Sequence, residues 1–231
     1  MRQRRVDERM DDLALDRSEH DRALAGLVRL NAWSRSHRLL LEPVVREARS
    51  AGPTGITLLD VATGSADGPV RMAVHARSLG LRVRLILADA SEHALAVAAA
   101  RARAAGVDAD TLRCDVLAAP IPAQADVVTC SLFVHHLDRS QAVTALRRMA
   151  QAARRTLAVA DLERSKAGLL LAWGASRALS RSAVVHFDAP ASVHGAYALD
   201  EVRALAQDAG LRGAVVRRRW PFRWTLECSR T

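Results

Sequence analysis

The sequence predicts a doubly wound α/β domain. Short runs of Val, Ile and Leu alternate with helical patterns from about residue 56 onward. The runs are apolar throughout instead of alternating apolar with polar, as strands buried on both faces of a parallel sheet are. The intervening segments are long enough to be crossover helices. The expected order is a strand over 56–62, a helix over 69–79, a strand over 82–89 and an alanine-rich helix over 91–105. A short strand over 111–115, a strand over 125–132, a helix over 140–153 and a strand over 155–161 follow. Residues 1–50 read as an N-terminal helical cap, with Leu27, Leu30 and Trp33 as candidates for its buried stripe, ahead of a domain over 51–231. Residues 163–198 interrupt the alternation as a lid insertion after the fifth strand, with one apolar helix over 169–179 followed by Pro190 and Gly195. A helix from Leu199 to Gly210 and two short strands, near 214–218 and 222–228, close the chain, with a bend at Trp220-Pro221.

Composition narrows the function. In 231 residues, 50% hydrophobic and 26% charged, a single large core is expected, and disordered, collagenous and disulfide-stapled classes are excluded. Three cysteines without metal-ligand spacing fit a reducing, cytoplasmic setting. No apolar run is long enough to span a bilayer, and the arginines near the N-terminus lead into acidic residues instead of a signal-peptide core. The net charge of +9 comes almost wholly from arginine, Lys166 being the one lysine, and it is spread among acids. With aromatics at 3%, nucleic acid is not expected as a partner. The densest run, Arg217-Arg218-Arg219, fits an edge strand whose charge blocks unwanted pairing.

The first strand ends in Asp60-Val61-Ala62-Thr63-Gly64-Ser65-Ala66-Asp67. Ligands of doubly wound sheets bind at the carboxyl ends of the strands, where strand order reverses, so this turn must be tight and carry small residues. A dinucleotide fingerprint would place glycine at 62, 64 and 67, and a P-loop would end in Gly-Lys-Ser/Thr; neither pattern is present. The turn resembles instead the acidic residue plus G-x-G-x-G motif of class I S-adenosylmethionine (SAM)-dependent methyltransferases. The resemblance continues at Asp89-Ala90, Asp115-Val116 and the Asp126–Leu137 segment. It implies a Rossmann-like sheet of seven strands, the last antiparallel, with SAM as cofactor. It also implies that Asp60, Ala62, Thr63, Gly64 and Ala66 hold the cofactor, with Asp89 and Ala90 at the ribose, Asp115 and Val116 at the adenine, and Ser131 below the methionine. Ala62 and Ala66 stand where the family has glycine; if either needs positive φ, alanine costs on the order of 1 kcal/mol.

The flanks, including Glu8-Arg9-Met10, Arg181–Asp188 and Trp220–Arg223, resemble small bacterial methyltransferases found beside polyketide-synthase genes. That likeness implies O-methylation of a small phenolic or polyketide natural product. The alternative is a non-methylating protein that binds SAM as a scaffold or sensor, or a degenerate relative.

Methyl transfer from a sulfonium releases a neutral thioether, so a hydroxyl acceptor asks only for orientation and a base. Histidine suits a phenol near neutral pH. His136, with His135 as alternate, lies just past the fourth strand on the loop that the resemblance places beneath the methyl group. His186 and Asp188 lie in the lid and, in a strand, would share a face as a base held by a carboxylate. Asp188, His194 and Arg164 are further substrate-site candidates. The clustered carboxylates of catechol-type enzymes are not seen, so no metal is expected.

Overall fold

The computed structural model describes residues 1–230 except 7, 12–15, 17, 18, 20, 21, 24, 27, 28, 31, 32, 34 and 35. One seven-stranded sheet runs β1 (Ile56–Val61), β2 (Val83–Asp89), β3 (Ala109–Arg113), β4 (Ala125–Ser131), β5 (Ala153–Leu162), β6 (Val215–Arg219) and β7 (Arg223–Ser229). Their spatial order is β3-β2-β1-β4-β5-β7-β6. The pairs from β3 to β5 are parallel, and β7 is antiparallel to both of its neighbours. Strand order reverses between β1 and β4, which puts the ligand crevice at their carboxyl ends. β6 is an edge, as its arginines predict, and Arg218 is tied to Glu163 through Nε and a terminal nitrogen at 2.6–3.0 Å.

The period of two in β1 splits its side chains between two cores. Ile56 and Leu58 meet α1 (Leu41–Ala51), α2 (Asp67–Ser78) and α3 (Glu92–Ala104) through Val44, Met72 and Ala98. Leu59 and Val61 join the other core, built with Leu146 and Met149 of α4 (Arg139–Ala152), Leu205 of α7 (Leu199–Asp208) and Trp224 of β7. Helix starts follow short polar caps: Ser91 Oγ accepts from Ala94 N, and Asp138 forms a capping box with Gln141.

The lid departs from expectation. It holds two helices, α5 (Lys166–Leu179) and α6 (Ala183–Gly195), the second continuing through Pro190. Ser165 and Ser182 cap them. At the end of α6, Gly195 passes so close to the loop after β4 that a Cβ there would sit 2.9 Å from the His135 carbonyl oxygen. The third strand also ends earlier than expected, at Arg113, leaving Asp115 in the following loop.

At the N-terminus, Leu27 lies outside the described residues and Leu30 packs against the small cluster of Ala23, Val184 and Val185. Trp33 is half exposed, not part of a buried stripe. The described residues among 1–10 run along the lid instead. Arg4 N donates to the His194 carbonyl at 3.0 Å and Gln3 Nε2 to the Gly195 carbonyl at 2.7 Å. Arg5 reaches the Tyr197 hydroxyl at 2.7 Å, and that hydroxyl donates to the Leu137 carbonyl. No helix among the described residues is long and apolar enough to cross a membrane.

Candidate active site

The turn after β1 has a strained backbone. Ala62, Gly64 and Ala66 have φ of 53°, 51° and 54°, so both alanines sit in the left-handed region where the sequence pattern wants glycine. Ala66→Gly relieves a strain of about 1–2 kcal/mol but frees the unfolded chain by about 0.4–1 kcal/mol. A net gain near 0.5–1 kcal/mol in urea unfolding is the expected result, and a loss of stability would show that the Ala66 methyl packs well enough to offset the strain.

Asp89 holds the turn from the neighbouring strand. Its Oδ2 accepts from Gly64 N at 2.9 Å and its Oδ1 from Ser91 N at 2.9 Å. Asp115 is exposed and folds back on its own loop, accepting from Leu117 N at 2.8 Å, while Val116 is buried. Asp60 is 3% exposed and accepts from Thr129 Oγ1 at 2.6 Å. Burial pushes its pKa up to about 6, against the hydrogen bond from Thr129 and helped by the charge of Asp89.

A cavity of about 380 Å³ opens above the ends of β1, β4 and β5. Its floor is the turn from Ala62 to Gly68, whose Ala66 is fully buried and outside the lining, with Ser131 and Leu132; α5, α6 and the Pro221–Arg223 segment form its walls. Glu8 and Met10 of the N-terminal segment, and both His135 and His136, line it as well. Asp89, Ala90, Asp115 and Val116 lie outside this cavity, on the β2–β3 side of the turn. The volume is within the range of small-molecule sites.

The deepest polar group is His135, 6% exposed in the 3-10 turn Val134–His136. Its ring Nδ1 lies 2.7 Å from Asp161 Oδ1, its backbone N–H donates to Asp161 Oδ2 at 3.0 Å, and its Nε2 lies 3.6 Å from Glu8 Oε1. Burial disfavours the charged ring, but the Asp161 and Glu8 carboxylates outweigh it and hold the pKa up to about 10. Despite their own burial, both carboxylates are held below their ordinary range by the same ring. A ring already protonated has no lone pair for an acceptor's proton, which counts against His135 as the base. His136 is exposed, stacks at a 4.1 Å centroid distance on His135 and reaches the cavity.

The lid candidates are placed differently from expectation. Because 183–195 is a helix and not a strand, His186 and Asp188, two residues apart, point about 200° apart. His186 Nε2 is engaged by the Ser180 carbonyl at 2.8 Å, away from the cavity lining. Asp188 is 3% exposed and accepts from Arg9 N at 2.8 Å and Met10 N at 3.1 Å, so it anchors the N-terminal segment. His194 lies outside the lining and offers its carbonyl to Arg4. Arg164 turns all three guanidinium nitrogens to the Met1 and Ala196 carbonyls and to Glu201 at 2.6–3.0 Å, and it lies outside the cavity lining. Two residues that the sequence does not mark as site residues, Asp161 and Glu8, hold the His135 ring from its two sides. Asp161 carries the same signal as Asp60 and Asp89, an acid near the end of a parallel strand; Glu8 carries none.

Sheet order and the turn after β1 are those of the class I SAM-dependent methyltransferase fold. Residues 58–156 match the family model described as a methyltransferase domain. No curated protein sequence matches significantly. Among solved structures, the plantazolicin methyltransferase BpumL in complex with S-adenosylhomocysteine is 13% identical over 92% of this chain and 96% of that one, with a TM-score of 0.64. An O-methyltransferase family 2 protein from Planctomyces limnophilus in complex with apigenin is 18% identical over 95% of this chain and 63% of that one, TM-score 0.63. Magnesium protoporphyrin IX methyltransferase from Synechocystis, with bound S-adenosylhomocysteine, is 15% identical over 96% and 91%, TM-score 0.56.

Proposed function

We propose that the protein transfers the methyl group of SAM to a hydroxyl on a small phenolic or polyketide natural product. The observation that carries this reading is the cavity itself. It joins the turn after β1, where the family places the cofactor, to an apolar chamber under the lid with a Glu8–His135–His136 cluster between them. In this reading Asp89 and Ala90 take the ribose and Asp115 and Val116 the adenine, while Ala62, Thr63, Gly64, Ala66 and Ser131 surround the methionine portion. Asp60, a buried acid directly behind the turn, favours a ligand that brings positive charge. The apigenin bound to the Planctomyces protein supports an acceptor of this kind. The acceptor's proton leaves through the cluster, and His136, exposed to the cavity, faces it.

The first test is calorimetric titration with SAM and with S-adenosylhomocysteine. Both are expected to bind, and Asp89→Ala is expected to weaken each by roughly a hundredfold, the worth of two hydrogen bonds to a charged group. Mass-spectrometric detection of methylated product over a panel of phenols then tests the acceptor class. His136→Ala is expected to lower turnover with SAM affinity nearly intact. Absence of SAM binding would overturn the enzyme reading and leave the scaffold one.

A further inference from the structure

Glu8, His135 and His136 each present a ligand atom to one point, all within 4.8 Å of one another. Two histidines and one carboxylate are a donor set for a divalent first-row transition ion such as Zn²⁺, Co²⁺ or Fe²⁺, and three protein ligands leave coordination positions open. The surroundings add a second, independent observation. Asp161, 1% exposed, holds the Nδ1 side of His135 at 2.7 Å and takes its backbone N–H as well. This fixes the ring plane and leaves Nε2 as the atom turned toward Glu8 and the cavity. A carboxylate fixing the far nitrogen of a ligating imidazole is the usual outer shell of a metal-bound histidine.

We propose that Glu8, His135 and His136 bind one divalent transition-metal ion, with Asp161 as the positioning residue behind His135 and with the ion's open positions facing the cavity. Ligation uses the lone pair of a neutral imidazole, so binding the ion releases a proton. Glu8 reaches the cluster because the N-terminal segment is tied to the lid by the contacts of Asp188 with Arg9 N and Met10 N. Ser192 Oγ donates to Glu8 Oε1 and orients the carboxylate from the lid side. The site therefore draws on the N-terminal segment, the loop after β4 and α6 together. The proposal goes beyond the transfer reaction and shares with it the cavity and the Glu8–His135–His136 cluster. An acceptor hydroxyl coordinated at an open position would release its proton to solvent more readily, because the ion withdraws charge from its oxygen.

The test uses the full chain, stripped with a chelator and titrated with Zn²⁺ by calorimetry and with Co²⁺ by visible absorption. One ion per chain is expected, with Co²⁺ bands of an imidazole-carboxylate site. His136→Ala and Glu8→Gln are each expected to weaken binding at least about tenfold, and Asp161→Asn by about 10–100-fold, as outer-shell losses do. His75→Ala, on the exposed face of α2, is expected to change nothing. SAM titration of the same variants checks that they fold and tests the methyltransferase reading separately, since it does not depend on the ion. Zn²⁺ or Co²⁺ binding no tighter to the wild type than to His136→Ala would overturn the proposal. So would binding removed equally by His75→Ala.

Discussion

Asp161→Ala is expected to lower the stability of the protein by about 3–5 kcal/mol, the usual loss when one partner of a buried ion pair is removed. The carboxylate is 1% exposed and accepts from the His135 ring, from His135 N at 3.0 Å and from Leu162 N at 2.7 Å. Alanine leaves those buried donors without an acceptor, and the carboxylate left to the imidazolium among the described residues is Glu8, 3.6 Å away. Arg223 adds to the loss. Burial pulls its pKa down to about 10, and Asp161 is the carboxylate that favours its charge. Urea unfolding measures the effect as a fall in midpoint at constant slope. A loss below about 1 kcal/mol would mean that solvent or Glu8 replaces Asp161, contrary to the geometry.

The same pair sets a pH dependence whose sign is fixed. His135 binds its proton more tightly folded, at about 10, than its ordinary value of 6.5. Its contribution is therefore complete below about 6.5 and is lost as pH rises toward 10. Chelator-treated wild type should lose stability across that interval. Asp161→Ala, which has already lost the pair, should show a much flatter profile there.

What could be read in advance divides by the range of the contacts involved. The sheet was legible because Ile56–Val61 and Ala125–Ser131 are apolar runs between helical patterns, which is a local signal. Asp60 and Asp89 are singled out in the sequence by the family resemblance, and in the fold they lie behind and beside the turn after β1. Asp161, near the end of β5, has no motif to accompany it. The lid helix Ala183–Gly195 was hidden by Pro190 in its interior and Gly195 at its end, both ordinary signs of a loop. In the fold, neighbouring elements hold it: Val184 and Val185 bury against Ala23, and Asp188 binds the backbone of Arg9 and Met10. Once that stretch is a helix, the pairing of His186 with Asp188 fails, since two residues of helix do not share a face. Glu8 was illegible for a related reason. Its place beside His135 follows from contacts between the N-terminal segment and the lid that no sequence period records.

Asp60→Asn is expected to stabilise the protein at neutral and alkaline pH while weakening its hold on the cofactor. Burial raises the carboxyl's pKa from 3.8 to about 6, so the folded chain binds this proton more tightly than the unfolded one does. The sign is therefore the same as that of His135, in a lower pH window. Stability falls as pH rises from about 4 to about 6, and the full cost, roughly 3 kcal/mol for about two pKa units, stands at any higher pH. Asparagine keeps the shape and can still accept from Thr129 Oγ1 without carrying the charge. At pH 8 Asp60→Asn should gain up to about 3 kcal/mol over wild type, and at pH 4 the two should agree within about 1 kcal/mol. A variant less stable than wild type at pH 8 would show that Thr129 and solvation already offset the buried charge. A buried carboxylate kept at this cost has a use if a cation arrives beside it, and SAM brings a sulfonium and an ammonium to the turn that Asp60 underlies. Wild-type affinity for SAM should then rise as pH passes through about 6, whereas Asp60→Asn should bind more weakly and without that rise. Stability gained and affinity lost by a single substitution would separate a ligand-directed charge from a merely tolerated one, because a tolerated charge has no affinity to lose.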